Sequence, residues 1–201
     1  MDVSRTDEQL VLDYRRGDQQ AMDELIRRHL KPIHTFVFRL TGDRHEAEDI
    51  TQETFLKAWR HLWRFNAGKK FRPWLFRIAK NATTDHFRRK RTLPFSAFED
   101  EDGNNPVTDG LTDPAPLPDE LLARKDAGQV LTDALNRLPL IYRQVMLLRH
   151  NDHFSFIEIA ETMGEPLNTV KSRHRRALLC LRKELDKGTA GDATGNAPNP
   201  A

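Results

Sequence analysis

The chain contains one cysteine, Cys180, among its 201 residues. One thiol cannot close an intramolecular disulfide or build a cysteine-based metal site, which favours a reducing compartment. No apolar run approaches the roughly 18 residues that a membrane-spanning helix needs, and the amino terminus is charged from its second residue. These absences predict a soluble, cytoplasmic protein.

Neither sign of charge dominates, because 32 basic residues face 30 acidic ones and leave a net charge of +2. Affinity for a polyanion must therefore come from uneven placement of the charges. Glycine and proline are scarce between Thr6 and Arg91, where apolar residues recur at spacings of three and four. This spacing predicts an all-α fold.

Proline and glycine mark the expected helix ends in this half, because proline lacks a backbone N–H and glycine adopts left-handed turns. We expect a first helix opened by Leu10, a second that ends near Pro32 and a third that stops at Gly42. A fourth helix is predicted over about 44–62, and a fifth over about 73–91.

The composition changes between Leu93 and Leu122, where five prolines, two glycines and eight acidic residues occur without a lysine or arginine. Such a segment buries too little apolar surface to order itself, so it is predicted to be a flexible acidic linker. Helical spacing resumes near Leu121. We expect two small helical domains at 6–92 and 121–187, joined by a linker at 93–120 and followed by a disordered tail at 188–201.

The last two helices of the second domain match a helix-turn-helix pattern. Ser155 and Glu158 predict a capping box for the first helix, Gly164 its end, and Asn168 the cap of the second, which reaches about Lys187. Apolar residues share one side of this second helix, and hydrogen-bond donors suited to guanine edges and phosphates share the other. The alternative is a solvated basic face on an ordinary helical hairpin. The candidate DNA-contacting residues are Asn168, Thr169, Lys171, Ser172, Arg173, Arg175 and Arg176.

A second basic surface is predicted on the fifth helix, where Asn81 lies among arginines and offers an amide to an exposed base edge. The cationic loop before this helix is bracketed by Phe65 and Phe71, a composition suited to capturing an unstacked base. The alternative is that both aromatic rings belong to the core. The candidate residues of the loop and helix are Arg64, Phe65, Asn66, Lys69, Lys70, Phe71, Arg77, Asn81, Thr84 and Arg88.

The fourth helix carries a candidate surface for a protein partner. Its predicted outer face combines Asp49, Gln52, Glu53 and Leu56. An exposed leucine among acids and an amide suits a protein interface, although isolated exposed leucines are common.

Three stretches together resemble a known family: EAEDITQETFLKAW (46–59), FRPWLFRIAKNATTDHFRRKR (71–91) and FSFIEIAETMGEPLNTVKSRHRRALLCLRKEL (154–185). They look like the second and fourth conserved regions of extracytoplasmic-function (ECF) sigma factors of bacterial RNA polymerase. Their amino-acid sequence is similar to that of the sigma-W-like, envelope-stress subgroup. The resemblance implies a non-enzymatic protein that binds core RNA polymerase and directs it to promoters, in a stress response.

The same resemblance implies a role for each candidate surface. The face with Asp49, Gln52, Glu53 and Leu56 would bind the clamp helices of the beta-prime subunit. The loop at 64–71 and the helix with Asn81 would capture a flipped base of the minus-ten element, and the helix from Asn168 would bind the minus-thirty-five element. The acidic linker would thread toward the polymerase active site and RNA exit path, where its charge mimics RNA. The beta subunit is a further implied contact of the chain on core polymerase. A membrane-anchored anti-sigma factor is the implied inhibitor.

Two other classes of function are weighed against this interpretation. A helix-turn-helix regulator that acts without polymerase would explain the C-terminal third alone. A metal-dependent enzyme is suggested by His150, His153 and Glu158, but their spacing fits no known zinc pattern. The sequence shows no nucleophile with its base and no glycine-rich phosphate loop, so we predict no catalysis, no metal and no cofactor.

Overall fold

The computed structural model describes residues 5–91 and 125–192. Within these residues the chain forms helices and turns only, which confirms the all-α prediction. The predicted acidic linker lies outside the described residues. The helices are α1 (Asp7–Arg15), α2 (Gln19–Thr41), α3 (Arg44–His61), α4 (Phe71–Arg91), α5 (Lys125–Arg137), α6 (Leu140–Met146), α7 (Phe156–Met163) and α8 (Leu167–Asp192), with a 3₁₀ turn at Leu62–Arg64 and a π-helical turn at Leu147–Asn151.

Helix α2 runs without interruption through Pro32, so the prediction of two helices that meet at this proline is wrong. A proline inside a helix costs about 3 kcal/mol and removes one backbone hydrogen bond. The buried stripe nevertheless continues on both sides of it, from Leu25 through Ile33 to Leu40. Burial of each such side chain contributes about 1.5–3 kcal/mol, and several of them together outweigh the cost of the proline.

The helices fall into two compact units. In the first unit, α1 to α4 pack around one core, and the segment 147–170 with α7 belongs to the same unit. Gly42 ends α2 in the left-handed conformation, with φ of 72°, as the sequence predicts. Asp43 then caps α3 by accepting a hydrogen bond from the backbone N–H of Glu46 at 2.9 Å. The largest fully buried side chains of α2 and α4 in this core are Leu25, Ile33, Phe36, Leu40, Leu75 and Phe76.

The second unit has a smaller core between α5, α6 and the part of α8 that follows Val170. Leucines of α5 and α8 surround it at helical spacing, as their sequence pattern predicts. Its fully buried members are Ala134, Leu138, Met146, Ala177 and Leu181.

Of the two helix starts predicted for the helix-turn-helix, that of α7 is observed and that of α8 is not. The capping box is confirmed, because Ser155 Oγ accepts from the Glu158 N–H while a Glu158 carboxylate oxygen accepts from the Ser155 N–H at 2.9 Å. The prediction that Asn168 caps the last helix is wrong, because α8 already begins at Leu167. The Val170 N–H donates to the Pro166 carbonyl, and the helix starts two residues earlier than an Asn168 cap would place it. Helix α8 also extends to Asp192, five residues beyond its expected end.

Candidate nucleic-acid and polymerase interfaces

Helix α4 presents a basic face opposite the side that it buries. Its apolar residues Leu75, Ala79 and Ala82 lie in the core, which turns the residues between them outward. The structure brings together four candidate DNA contacts on this outer face, all exposed: Arg77, Asn81, Thr84 and Arg88. The face offers guanidinium groups for phosphates and one exposed amide for a base edge.

The loop before α4 divides its residues between surface and core. Arg64, Lys69 and Lys70 are exposed. The Asn66 side-chain oxygen accepts a hydrogen bond from the Gly68 N–H at 2.9 Å, and its backbone carbonyl accepts from Lys69. Asn66 is exposed but also shapes this turn.

The two aromatic residues of this loop are core residues in the structure. Phe65 is 5% exposed and Phe71 is 4% exposed. Their rings pack edge-on at 5.7 Å, and both contact the ring of Trp74 at 5.0 and 5.5 Å. A base cannot stack on rings that are already covered, so the second of the two interpretations from the sequence fits Phe65 and Phe71.

Within the first unit, the N-terminal half of α4 contacts α7 and the turn before it. Lys70 Nζ lies 2.7 Å from a carboxylate oxygen of Glu158. The guanidinium of Arg77 donates to the carbonyl of Glu161. Partial burial of Glu158 opposes its ionisation, but hydrogen bonds from Lys70 and Ser155 outweigh this effect and lower its pKa to about 2. Glu158 is therefore an anion at neutral pH, paired with a predicted promoter contact.

The outer face of α3 holds the candidate contacts for a protein partner. Asp49, Gln52 and Leu56 are exposed, and Leu56 exposes 51% of its surface. Glu53 is half-buried and pairs with Lys57 at 2.7 Å and with Arg89 at 3.6 Å. Hydrogen bonds from Lys57, opposed by partial burial, lower the pKa of Glu53.

Two exposed tryptophans extend this apolar surface, and the sequence interpretation did not include them. Trp59 is 52% exposed and Trp63 is 63% exposed. Leu56 and Trp59 are three residues apart on α3, which places them on the same side of the helix, and Trp63 follows in the 3₁₀ turn at Leu62–Arg64. The signal was therefore present in the spacing. Trp59 Nε1 donates to the hydroxyl of Tyr14 at 2.6 Å, which fixes the indole against α1.

Helix α8 buries Val170, Ala177 and Leu181 and turns polar residues outward near its N-terminus. The candidate contacts differ in their access to solvent. Thr169, Arg173 and Arg175 are half-buried, whereas Asn168, Lys171, Ser172 and Arg176 are exposed. The amphipathic division predicted for this helix is therefore observed, with the exposed donors in its first three turns.

Of the three residues that suggested a metal site, Glu158 is engaged elsewhere. Glu158 serves the capping box and Lys70, and among residues 5–91 and 125–192 no group of three potential metal ligands comes together. In the same ranges, no helix is both long enough and apolar enough to cross a membrane.

The class of sigma-type transcription initiation factors is shown by two family models that match the two helical regions of the chain. The family description Sigma-70 region 2 matches residues 25–92, and Sigma-70, region 4 matches residues 128–181. The chain belongs to the ECF class of RNA polymerase sigma factors. It binds core RNA polymerase and promoter DNA, directs promoter-specific initiation, and is not an enzyme.

Several relatives support this assignment. The chain is 33% identical to the ECF RNA polymerase sigma factor SigW of Bacillus subtilis over 87% of its own length and 94% of SigW. It is 32% identical to the ECF RNA polymerase sigma-E factor of Escherichia coli over 88% of its own length and 93% of sigma-E. The solved structure of CnrH in complex with the cytosolic domain of CnrY is 25% identical, with a TM-score of 0.66 over 91% of this chain and 99% of CnrH. A regulator that acts without polymerase would not account for the match of residues 25–92 to Sigma-70 region 2.

Proposed function

We propose that three separate surfaces divide the work of promoter recognition. The outer face of α4, with Arg77, Asn81, Thr84 and Arg88, binds the opened strand of the minus-ten element. A contact to a phosphate holds the strand without regard to sequence, whereas an amide that reaches a base edge discriminates between bases. The exposure of Asn81 in the middle of a basic face carries this proposal.

The exposed cations of the preceding loop extend the same strand-binding surface. Arg64, Lys69 and Lys70 supply positive charge next to the N-terminus of α4. The burial of Phe65 and Phe71 leaves them the role of a rigid base for this loop. Base capture then depends on polar contacts more than on stacking in the loop.

The outer face of α3 binds the clamp helices of the beta-prime subunit. Asp49 and Gln52 supply the polar rim, and Leu56, Trp59 and Trp63 supply the apolar centre. Aromatic residues are enriched in the most strongly bound part of protein interfaces, whereas a polar rim sets specificity. Glu53 contributes partly through its ion pair with Arg89, which joins α3 to α4, whereas its pair with Lys57 lies within α3.

Helix α8 enters the major groove of the minus-thirty-five element with Lys171, Ser172 and Arg176. These residues occupy the N-terminal part of the second helix of a helix-turn-helix, which is where base contacts concentrate. Thr169, Arg173 and Arg175 support them from partly buried positions, and the exposed Asn168 is close enough to the helix start to contact a phosphate.

The wider setting is also a proposal. The chain acts in the cytoplasm, where RNA polymerase works, and serves a stress response. Its inhibitor is an anti-sigma protein, and the similarity to CnrH, whose structure contains the cytosolic domain of CnrY, supports a protein partner of this kind. The linker outside the described residues joins the two domains at 6–92 and 121–187 and approaches the beta subunit.

The strand-binding assignment is tested with reconstituted holoenzyme. Asn81→Ala is expected to leave the affinity for core polymerase unchanged and to reduce promoter opening, measured as permanganate reactivity of unpaired thymines. Gln20→Ala removes an exposed amide from α2 and serves as the control, with wild-type opening expected. Equal loss of core binding and of opening in Asn81→Ala would contradict the assignment.

A further inference from the structure

Helix α1 contacts both ends of the loop before α4, which carries part of the proposed strand-binding surface. The guanidinium of Arg15 donates to the carbonyls of Leu62 and Phe65, where the 3₁₀ turn ends and the loop begins. A carboxylate oxygen of Glu8 accepts a hydrogen bond from the N–H of Phe71 at 2.8 Å, where the loop ends and α4 begins. One helix therefore holds the loop at both of its ends.

Both contacts satisfy backbone groups that helices leave without a partner at their ends. A cation at the last carbonyls of a helical turn has the favourable sign for the partial charge there, as does an anion at the first N–H of the next helix. The two contacts are also partly buried, so water replaces them poorly. Arg15 and Glu8 therefore fix the loop ends more firmly than solvent would.

The spacing of the two side chains on α1 sets the distance between the loop ends. Glu8 and Arg15 are seven residues apart on this helix, which places them on one side of it and about 10 Å apart along its axis. Helix α1 is itself docked in the core, because Leu10 and Val11 are fully buried. It thus serves as a rigid spacer between the start and the end of the loop.

The middle of the loop is shaped by Asn66. Its side-chain oxygen accepts from the Gly68 N–H, and its backbone carbonyl accepts from the Lys69 N–H, both at 2.9 Å. This turn orders the middle of the loop but does not determine where its ends lie. Lys69 and Lys70 are exposed, so their position relative to α4 depends on how the loop ends are held.

We propose that Glu8 and Arg15 are positioning residues for minus-ten recognition, which hold the loop ends so that the loop cations meet the strand bound by α4. The inference rests on the proposed strand-binding function of the loop and α4. Placement matters because a charged hydrogen bond weakens steeply when its donor and acceptor are misaligned. Both residues act through the backbone of the loop, so α1 influences DNA binding without a DNA contact of its own.

The inference is tested on reconstituted holoenzyme by fluorescence anisotropy. The probe is a labelled single-stranded oligonucleotide with the non-template minus-ten sequence of a promoter selected by run-off transcription. Arg15→Ala is expected to weaken oligonucleotide binding roughly two- to tenfold, the range for the loss of one hydrogen bond, with unchanged affinity for core polymerase. Arg16→Ala removes the neighbouring exposed arginine, which pairs with Asp13, and should bind like the wild type. Equal binding by the two variants would overturn the inference.

A double variant separates positioning from a general loss of structure. Lys69→Ala should weaken oligonucleotide binding roughly two- to tenfold in the wild-type background. It should have almost no further effect in Arg15→Ala, because the displaced loop no longer brings Lys69 to the strand. Independent losses that multiply in the double variant would overturn the inference. A Lys69→Ala substitution without effect in either background would instead overturn the strand-binding function of the loop, and this inference with it.

Glu8 provides a conservative variant. Glu8→Gln keeps an oxygen that accepts from the Phe71 N–H and should bind the oligonucleotide at least as tightly as the wild type. Glu8→Ala lacks this acceptor and should weaken binding as much as Arg15→Ala does. Equal weakening by Glu8→Gln and Glu8→Ala would show that the charge of Glu8, and not its contact with the loop end, affects binding, which would overturn its positioning role.

Discussion

Asp7 Oδ2 lies 2.7 Å from His29 Nε2, and this contact joins the start of α1 to the middle of α2. His29 is buried, and its ring also packs against Phe71 at 5.4 Å. Arg28 approaches the other oxygen of Asp7 at 3.1 Å. One carboxylate therefore anchors α1 against the helix that forms the centre of the first unit.

Asp7→Ala is expected to destabilise the first unit by about 1–3 kcal/mol, because it leaves a buried imidazole without its hydrogen-bond partner. Urea denaturation followed by circular dichroism measures this free energy of unfolding. Asp23→Ala removes an exposed carboxylate from α2 and should change the free energy little. A loss as small as that of the control would show that the Asp7–His29 contact is not stabilising.

The buried carboxyl of Asp152 should make the stability of the fold decrease as the pH rises above about 4. Burial raises the pKa of its carboxyl to about 6, against the opposing attraction of Arg72 and Arg39. The folded state thus binds a proton more tightly than the unfolded state, whose ordinary value is 3.8. The contribution of Asp152 is fully present below about pH 3.8 and is lost as the pH rises through about 6.

Asp152→Asn should therefore be more stable than the wild type at pH 8, by up to about 3 kcal/mol, and nearly equal to it at pH 4. Thermal or urea denaturation of both proteins across this range measures the difference. A difference that does not change between pH 4 and pH 8 would mean that Asp152 is ionised at its ordinary pKa.

Leu56→Asp is expected to weaken binding to core polymerase by at least about tenfold, because it places an unpaired carboxylate in the apolar centre of the interface, where its desolvation is unfavourable. Leu30→Asp is the matched control, because Leu30 is another exposed leucine, on α2. Competition for core polymerase against the labelled wild-type chain measures both affinities. Equal effects of the two substitutions would show that the outer face of α3 does not bind core polymerase. A charge change at Glu53 is less informative, because Glu53 also pairs with Lys57 and Arg89.

Arg176→Ala should reduce discrimination at one base pair of the minus-thirty-five element by about 1–3 kcal/mol, as expected for a lost contact to a base edge. Binding to a set of duplexes with single base-pair changes measures this selectivity. Arg182→Ala, on an exposed part of the same helix further from its start, should keep the selectivity of the wild type. Unchanged selectivity in Arg176→Ala would indicate that Arg176 contacts the phosphate backbone and not a base edge.

Local sequence patterns predicted much of the fold. The capping box at Ser155, the end of α2 at Gly42 and the span of α3 depend on neighbouring residues, and all three are observed. Pro32 was misinterpreted because its local cost is offset by burial of the α2 stripe against α3 and α4, and the residues next to the proline do not reveal this packing. The predicted start of α8 at an Asn168 cap is wrong because the first helical hydrogen bond is already accepted by the Pro166 carbonyl.

The candidate site was less predictable because sequence periodicity assigns residues to a face but does not identify what covers it. The pattern placed Arg77 and Asn81 on one outer face of α4, and both are exposed. It did not predict that α7 would contact Lys70 and Arg77, because that contact joins residues more than 80 positions apart. The aromatic content of the loop suggested stacking on DNA, but Phe65 and Phe71 stack on Trp74 and on each other.

Run-off transcription with core RNA polymerase and a library of promoter fragments tests the central claim most directly. The account predicts that core polymerase with this chain initiates at a defined subset of fragments that share minus-ten and minus-thirty-five sequences, and that core polymerase alone does not. Failure of the folded, core-bound chain to direct initiation at any fragment would contradict it.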